Sequence, residues 1–399
     1  MSVLPRVVST RKALARRPRG VVVHCSGVAH WRILVPISPT EVARLAADLD
    51  SGLSLPAPWY TDPEILALEH ERIFRRSWQY VGRTEQVARV GDYFTASVGD
   101  IPIAVVRTER GITALVNVCR HRRHEVVCGA GHGVVLQCPY HAWTYELDGR
   151  LRAAPRGDRE PRFRKEDYPL LAAKVDTWGP WIFVTPDTGA PPLRDVLGEL
   201  PELLTRSGLD PSRLELRRRE QWERGANWKV MIENFLECYH CPVQHPGFSA
   251  VIDVHPDAYT LRTSEWFSTQ SGPVRAVPSG KQAPYDARGE VTEAQYHFLW
   301  PNFTISINPG LPNLAIDVWN PAGPERTSGF SEHYFGAHVS RQWAEEMIAF
   351  NAQVGAEDDR LTDSVQRGLR AGRPIQGRFL VNSERLVVHF QKLVVAALS

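Results

Sequence analysis

Four cysteine and histidine side chains form two closely spaced pairs in the first half of the sequence. One residue separates Cys119 from His121, and two residues separate Cys138 from His141. Thiolates and imidazoles are both good metal ligands, and a short loop can present two such side chains to one point. The two pairs therefore predict a metal site built from two loops.

The order of ligands within each pair distinguishes between two kinds of metal site. A structural zinc site usually pairs like with like, whereas each pair here contributes one cysteine and one histidine. The mixed order favours a [2Fe–2S] cluster in which two thiolates bind one iron and two imidazoles bind the other. Imidazole ligands raise the potential of such a cluster to roughly −150 to +300 mV, so the predicted role is transfer of single electrons.

A second group of candidate ligands lies further along the chain. A helix-compatible run from Asn227 to Tyr239 contains Glu237, whereas His240 and His245 come after it, and Pro242 and Pro246 break the helix. The spacing predicts that Glu237 and His240 share one helix face, with His245 on the loop just beyond it. Two imidazoles plus a carboxylate form the set that binds mononuclear Fe(II) and leaves positions open for O2 and substrate.

The missing carboxylate has candidates in the C-terminal third. Glu357, Asp358 and Asp359 are consecutive on a predicted helix. Spacing alone does not choose among them, because acidic residues on a helix usually face solvent.

Cys238 and Cys241 offer an alternative interpretation of the second group. Their C-x2-C spacing also fits a redox pair or part of a zinc site. A thioredoxin-like pair lies at a helix N-terminus after a strand, whereas here a helical run precedes the cysteines.

The overall composition excludes several classes of function. The formal net charge is +2 and 23% of residues are charged, so nothing favours binding to nucleic acid or to an acidic membrane surface. The sequence lacks the run of roughly 18 apolar residues that a membrane-spanning helix requires. Six cysteines in 399 residues are too few for a disulfide scaffold, which favours a reducing compartment and a cytoplasmic location.

Regular elements must position these ligands, and their pattern predicts an α+β protein. Short β-rich runs separated by Gly and Asp turns occupy residues 81–186, as is typical of a compact antiparallel module. A helical apolar pattern at Asp62–Trp78 precedes them. We expect an N-terminal helix within 51–80 that packs on a larger domain at 187–399.

The first residues of the chain form a basic segment. Residues 1–36 are rich in Arg and contain no Asp or Glu. They fit a targeting segment, a disordered basic arm, or translation from a start codon placed too far upstream. We predict a basic, disordered extension for residues 1–50.

Both ligand-bearing segments resemble one known family. NVCRHRRHEVV and LQCPYHAWTYELDG resemble the cluster-binding loops of Rieske domains in ring-hydroxylating and related oxygenases. The resemblance covers residues 50–399, from LPAPWYTDPE to the tail GRFLVNSERLVVHFQ. It implies a small antiparallel β domain with a Rieske [2Fe–2S] cluster. It also implies a larger catalytic domain in which helices that bear the ligands of a mononuclear Fe(II) cover a curved antiparallel sheet.

The resemblance also implies roles for single residues. Asp358 matches the third iron ligand, with Asp359 as the fallback, and Glu237 matches a carboxylate that links the cluster of one subunit to the iron of the next. Asn227 matches an Asn near the iron. The family further implies a homotrimer, O2 as co-substrate, and electrons from NAD(P)H through a flavin and iron–sulfur reductase.

Two residues depart from the family pattern in the cluster loops. Arg123 and Ala142 stand where the family usually has Gly. Both substitutions would crowd a tight loop or alter the hydrogen bonds around the cluster, but neither removes a ligand.

The sequence around the predicted iron ligands points to a substrate class. ENFLECYHCPVQHPGF, QYHFLWPNFTISINPG and Glu at the bridging position resemble the branch containing carnitine, glycine-betaine and stachydrine monooxygenases. These enzymes oxidise a C–H bond near a quaternary nitrogen. Aromatic side chains can hold such a cation by cation–π attraction. The candidates are Trp266, Phe267, Tyr296, Phe298, Trp300 and Trp319.

Three further functions remain open from the sequence. In the first, the protein is still an oxygenase, but its substrate is an aromatic acid or an aromatic ring instead of a quaternary ammonium compound. A Rieske electron-transfer protein that does not activate O2 would hold about two irons per chain rather than three. A zinc-stabilised binding module would be colourless.

Overall fold

The computed structural model describes residues 37–275 and 283–399, which form an α+β protein with largely antiparallel sheets. Residues 1–36 of the predicted basic extension lie outside the described residues. The extension was expected to be disordered as far as residue 50, whereas helix α1 spans Pro39–Asp50. Ser38 caps this helix by accepting a hydrogen bond from the Glu41 N–H at 3.2 Å, and apolar side chains on one face are buried. The structure therefore differs from the expectation at residues 39–50.

The next helix connects the N-terminal segment to the second half of the chain. Helix α2 spans Pro63–Glu69 and continues as one π-helical turn at His70–Phe74. Glu69 is fully buried and accepts hydrogen bonds from Trp228 Nε1 at 2.8 Å and Lys229 Nζ at 2.5 Å. A buried carboxylate needs such partners, because an unpaired charge in the interior is costly.

Ten strands form the module that follows. They are β1 (Gln79–Arg83), β2 (Asp92–Val98), β3 (Ile101–Thr108), β4 (Gly111–Val116), β5 (Ala130–His132), β6 (Leu136–Gln137), β7 (Thr144–Tyr145), β8 (Leu151–Ala153), β9 (Ala172–Trp178) and β10 (Trp181–Thr185). Seven of them pair in the order β1-β10-β9-β4-β3-β2-β5, and β6-β7-β8 form a smaller sheet. The first cysteine–histidine pair lies between β4 and β5, and the second lies between β6 and β7.

The remaining elements form a second sheet and the helices beside it. They are α3 (Leu193–Leu197), α4 (Leu200–Arg206), β11 (Leu214–Arg224), α5 (Trp228–Phe235), α6 (Cys241–Gln244), α7 (Pro246–Val251), β12 (Thr260–Thr263), β13 (Phe267–Pro273), β14 (Glu293–Leu299), β15 (Phe303–Ile307), β16 (Asn313–Gly323), β17 (Arg326–Gly336), α8 (Arg341–Ala371) and α9 (Arg385–Leu398). The strands pair in the order β11-β17-β16-β15-β14-β13-β12. Within the described residues, no helix is long and apolar enough to cross a membrane.

The side chains of the second sheet alternate between two environments. On β16, Ile316 and Val318 belong to a core that also contains Tyr80 and Trp181 of the first module. Successive strand residues point to opposite faces. Asp317 accordingly lies on the other face, which carries polar and aromatic groups and lines a cavity.

Gly329 on β17 allows two indoles to meet above the sheet. It pairs with Trp222 of β11 on one side and Trp319 of β16 on the other, and the two indole ring centroids lie 4.8 Å apart. A β-carbon at position 329 would overlap the Val318 carbonyl oxygen and the Trp222 ring. The absence of a side chain at this position is therefore a packing requirement.

The first prediction concerns this glycine. Gly329→Ala should lower the free energy of unfolding by about 2 kcal/mol, because the added methyl group overpacks the sheet. Gly368→Ala, on the exposed face of α8 with open space around it, should raise it by about 1 kcal/mol, because Ala favours a helix. Denaturant unfolding of both variants beside the wild type measures the difference. Equal stability of the two variants would contradict the packing argument.

Candidate metal centres and the adjoining cavity

The two cysteine–histidine loops share one backbone hydrogen-bond frame. In each loop the cysteine N–H donates to the carbonyl five residues later, and the cysteine carbonyl accepts from the N–H four residues later. These bonds run from Cys119 to His124 (2.8 Å), from Arg123 to Cys119 (3.0 Å), from Cys138 to Trp143 (2.9 Å) and from Ala142 to Cys138 (3.0 Å). The site is therefore built from the same turn used twice.

Arg123 and Ala142 occupy equivalent positions in the two turns. Their φ angles are 59° and 58°, in the left-handed region that favours glycine. A side chain there costs roughly 1 kcal/mol relative to Gly. Arg123 and Ala142 stand where the family usually has Gly, and both have a backbone conformation that favours Gly.

The four candidate cluster ligands divide between interior and surface. Cys119 and Cys138 are buried, whereas His121 and His141 are exposed, with ring centroids 4.5 Å apart. The Tyr145 hydroxyl lies 3.3 Å from Cys119 Sγ. Burial raises the pKa of the Cys138 thiol. Buried sulfurs behind exposed imidazoles fit a cluster whose thiolate-bound iron lies inside and whose imidazole-bound iron lies near the surface.

The second group of ligands converges on one point. His240 Nε2 lies 3.0 Å from His245 Nε2, and Asp358 Oδ1 lies 3.0 Å from His245 Nε2 and 3.4 Å from His240 Nε2. Two nitrogens that each bind one ion at about 2.1 Å are themselves roughly 3 Å apart at near-right angles. The three side chains thus fit a single metal ion.

A carboxylate holds the outer nitrogen of each imidazole. His240 Nδ1 contacts Glu237 Oε1, and His245 Nδ1 lies 2.7 Å from Glu357 Oε2. Such partners fix the ring orientation of metal-binding histidines. Both Nε2 atoms are consequently left to face each other and Asp358.

The field at this group is negative. Burial opposes the charged form of His240, but its hydrogen bonds to Asp358 and Glu237 raise the pKa of the imidazole to about 9. Burial also opposes the charge on Asp358, yet hydrogen bonds from His240, His245 and Asn234 lower the pKa of that carboxyl to about 2. The raised pKa of His240 indicates that the carboxylates around it favour positive charge, and the lowered pKa of Asp358 keeps this carboxylate ionised.

The local fold of the second group differs from the predicted helix. Helix α5 ends at Phe235, so Glu237 and His240 lie in the turn before α6 and do not share a helix face. Glu237 Oε2 accepts hydrogen bonds from the N–H groups of Tyr239 (2.5 Å) and His240 (3.2 Å). The side chain competes in this way with continuation of the helix. The turn still brings Glu237 to His240.

The side-chain hydrogen bonds of Asn227 do not go to the metal group, although we expected this residue beside the iron. It caps α5, where its Oδ1 accepts from the Lys229 N–H at 2.9 Å and its Nδ2 donates to the carbonyls of Tyr60 (3.1 Å) and Pro324 (2.6 Å). The asparagine that contacts Asp358 is Asn234. Sequence reasoning missed it, although it lies seven residues along the same helical run.

The geometry also decides which aspartate joins the metal group and what the C-x2-C pair does. Asp359 pairs with Arg224 at 2.5 Å instead of contacting the histidines, so Asp358 is the aspartate that joins the group. Cys238 and Cys241 form a disulfide with each other. Neither sulfur is therefore part of a zinc site in this structure.

A cavity of about 340 Å³ opens beside the metal group. Its lining includes His240, His245 and Asp358, which we call the triad, together with one face of the second sheet and one face of α8. Of the six aromatic residues proposed from the sequence, Tyr296 and Trp319 line it. The other four, Trp266, Phe267, Phe298 and Trp300, are not among the lining residues. Those that the sequence missed are Trp222, Phe235, Phe248, Tyr259 and Phe350.

Two family models match the chain. The model described as "Rieske [2Fe-2S] domain" matches residues 77–169, and the model described as "Ring hydroxylating alpha subunit (catalytic domain)" matches residues 211–399. The first match covers strands β1 to β8 of the first module, and the second covers the whole second sheet with helices α5 to α9.

Similar sequences include monooxygenases of quaternary ammonium compounds. The chain is 33% identical over 360 residues to the carnitine monooxygenase oxygenase subunit of Acinetobacter pittii (strain PHEA-2), covering 87% of this chain and 95% of the relative. It is 32% identical over 351 residues to the chloroplastic choline monooxygenase of Amaranthus tricolor, covering 86% and 77% respectively.

A solved structure of similar fold is the quaternary ammonium Rieske monooxygenase CntA in complex with gamma-butyrobetaine. It superposes with a TM-score of 0.75 at 30% identity, covering 89% of this chain and 98% of that one. The architecture expected from the sequence, a Rieske domain plus a catalytic domain with an antiparallel sheet and helices, is thereby confirmed.

The second prediction concerns the left-handed residues of the loops. Ala142→Gly should raise the free energy of unfolding by about 1 kcal/mol, because it removes a side chain from a left-handed position. The matched change Ala154→Gly, outside the loops, should not stabilise the protein, since that residue is not left-handed. Denaturant unfolding measures both variants. A destabilised Ala142→Gly protein would contradict the strain argument.

Proposed function

Because this chain belongs to the Rieske non-haem iron oxygenases, as their oxygenase (α) subunit, we propose that it hydroxylates a quaternary ammonium compound at a carbon next to nitrogen. Family membership makes it an enzyme that uses a Rieske [2Fe–2S] cluster and a mononuclear iron and needs a reductase partner. The observation that carries the substrate proposal is the aromatic and acidic cavity beside the metal triad.

Each cofactor has a ligand set in this proposal. Cys119, Cys138, His121 and His141 would hold the cluster, and His240, His245 and Asp358 would hold the iron. When bound, the two cofactors supply single electrons and the activation of O2. The chain itself orients the imidazoles through Glu237 and Glu357 and shapes the cavity.

Aromatic rings lie next to the triad. The Phe248 ring centroid is 6.3 Å from the His245 ring and 5.7 Å from Tyr296, and Phe235 is 6.4 Å from Tyr296. A quaternary ammonium group is attracted to ring faces within about 6 Å. A cation held there would present its N-methyl or N-methylene hydrogens to the metal side of the cavity.

The charges of the cavity also suit a cation. Its lining contains five carboxylates, Glu220, Glu237, Asp317, Asp358 and Asp359. Gln270, which also lines it, has a buried Oε1 without a hydrogen-bond partner among the described residues. An aromatic acid would bring a further negative charge into this field, so the ring-hydroxylating alternative is disfavoured.

Electron delivery completes the proposal. We propose a homotrimer in which Glu237 links His240 to the cluster of a neighbouring subunit. Exposed apolar side chains beside each centre support this arrangement: Tyr239 and Val243 beside the iron triad, Val134 and Tyr140 beside the cluster loops. A flavin and iron–sulfur reductase would supply the electrons. We further propose a cytoplasmic location, because the cluster cysteines Cys119 and Cys138 are free thiols, which a reducing compartment preserves.

The third prediction tests the substrate class. Quaternary ammonium compounds should stimulate reductase-dependent O2 uptake by the iron-loaded protein, with stoichiometric product. Aromatic acids should not, because the carboxylates of the cavity repel them. An oxygen electrode and mass spectrometry of the products follow both. Turnover of aromatic acids alone would refute the proposal.

The fourth prediction tests the iron ligands. Asp358→Ala should lower bound iron from about three to about two per chain and abolish turnover, while the visible spectrum of the cluster persists. Asp363→Ala, an exposed aspartate on the same helix, is the matched control and should keep its iron. Metal analysis and absorption spectroscopy measure both. Full activity of Asp358→Ala would overturn the assignment.

A further inference from the structure

We infer that the sheet side of the cavity selects a quaternary ammonium compound whose other end carries a hydroxyl or amino group instead of a carboxylate, and that Asp317 accepts the hydrogen bond from that end. This inference rests on the proposed function and deepens it. It assigns Asp317 a specificity role.

Asp317 lies on the floor of the cavity, on a different element from the metal ligands. It belongs to β16, and its neighbours on the same face are Trp319 on its own strand and Ser331 on β17. Trp222 on β11 lies against Trp319. All four residues line the cavity. The triad, by contrast, comes from α8 and from the segment around α6.

The hydrogen bonds around Asp317 leave one oxygen available. Ser331 Oγ donates to Asp317 Oδ1 and accepts from Trp222 Nε1 at 3.0 Å. Trp319 Nε1 donates to Thr304 Oγ1 at 3.1 Å. Both indole N–H groups are therefore occupied, and Asp317 Oδ2 has no hydrogen-bond partner among the described residues. A carboxylate with one fixed and one free oxygen is an oriented acceptor.

The lining offers no free cation to a substrate carboxylate. Among the described lining residues, Arg224 is the one Lys or Arg side chain. It pairs with Asp359 at 2.5 Å, and its guanidinium lies 5.4 Å from the Trp222 ring centroid. His333 also lines the cavity, but burial lowers the pKa of its imidazole to about 4, so it is neutral near pH 7.

A substrate carboxylate near Asp317 would therefore meet a like charge. Burial raises the pKa of Asp317 to about 6, and the Ser331 hydrogen bond and Arg224 oppose that rise. Above that pH the group is mostly ionised. The other titratable groups that line the same cavity are Glu220, Arg224, Glu237, His240, His245, Tyr259, Tyr296, His333, Asp358 and Asp359. A hydroxyl donor gains a charge-assisted hydrogen bond at the same place.

The test compares two probes that share one skeleton. Choline and glycine betaine both carry a trimethylammonium group and differ at the far end, an alcohol in one and a carboxylate in the other. Reductase-dependent O2 uptake and product formation are measured for each above pH 7, with ethyltrimethylammonium as a probe that has neither group. The holoenzyme should show kcat/KM at least about tenfold higher for choline than for glycine betaine.

Asp317→Asn separates the role of the charge from the shape of the pocket. Asn can still accept the Ser331 hydrogen bond, so the fold should persist, with unchanged metal content and cluster spectrum. KM for choline should rise about tenfold with little change in kcat, and the preference over glycine betaine should narrow. KM for ethyltrimethylammonium should change less. Asp257→Asn, on the exposed surface, is the control and should leave all values unchanged.

Each remaining outcome has a distinct meaning. Equal or better turnover of glycine betaine would overturn this inference and leave the proposed function intact. A choline preference that survives unchanged in Asp317→Asn would overturn the role of Asp317. Failure of every quaternary ammonium compound to stimulate O2 uptake would overturn the proposed function, and the inference with it.

Discussion

The hydrogen bonds between carboxylates and imidazole Nδ1 atoms are the constraint on which the metal centre depends. Glu237 and Glu357 each hold one imidazole, so the two Nε2 atoms are brought within 3.0 Å of each other. Without these partners, two neighbouring imidazoles and an aspartate would be free to rotate or to exchange protons. The turn after α5 places Glu237 beside His240, and helix α8 places Glu357 beside His245.

The cluster module and the second sheet are joined by a shared core with a polar centre. Glu332 is fully buried and accepts hydrogen bonds from Tyr80 at 2.6 Å and Arg83 at 3.0 Å, and it pairs with Arg219. Removing any one partner would leave part of a buried charge unsatisfied. This network, together with the apolar residues around it, ties the two modules into one body.

The sequence predicted those parts of the site that are local. Cys119 and His121 lie within one turn, as do His240 and His245 within one short segment, so their spacing is informative. Asp358 required the family resemblance, because a helix distant in sequence brings it to the histidines. The cavity floor was not predictable, since β11 pairs with β17 and Trp222 meets Trp319 only through that pairing. Asn227 was misplaced because the family's asparagine was matched to the first Asn of the helical run, whereas Asn234, seven residues further along, contacts Asp358.

The alternation of side chains along β16 has a consequence for how this enzyme can diverge. Residues 315, 317 and 319 face the cavity, while 316 and 318 belong to the core. A change at Asp317 can alter the cavity while the core residues Ile316 and Val318 stay in place, and the candidate iron ligands lie on other elements. The proposed oxidation site and the proposed specificity site thus lie on separate elements, so selection can act on the two independently.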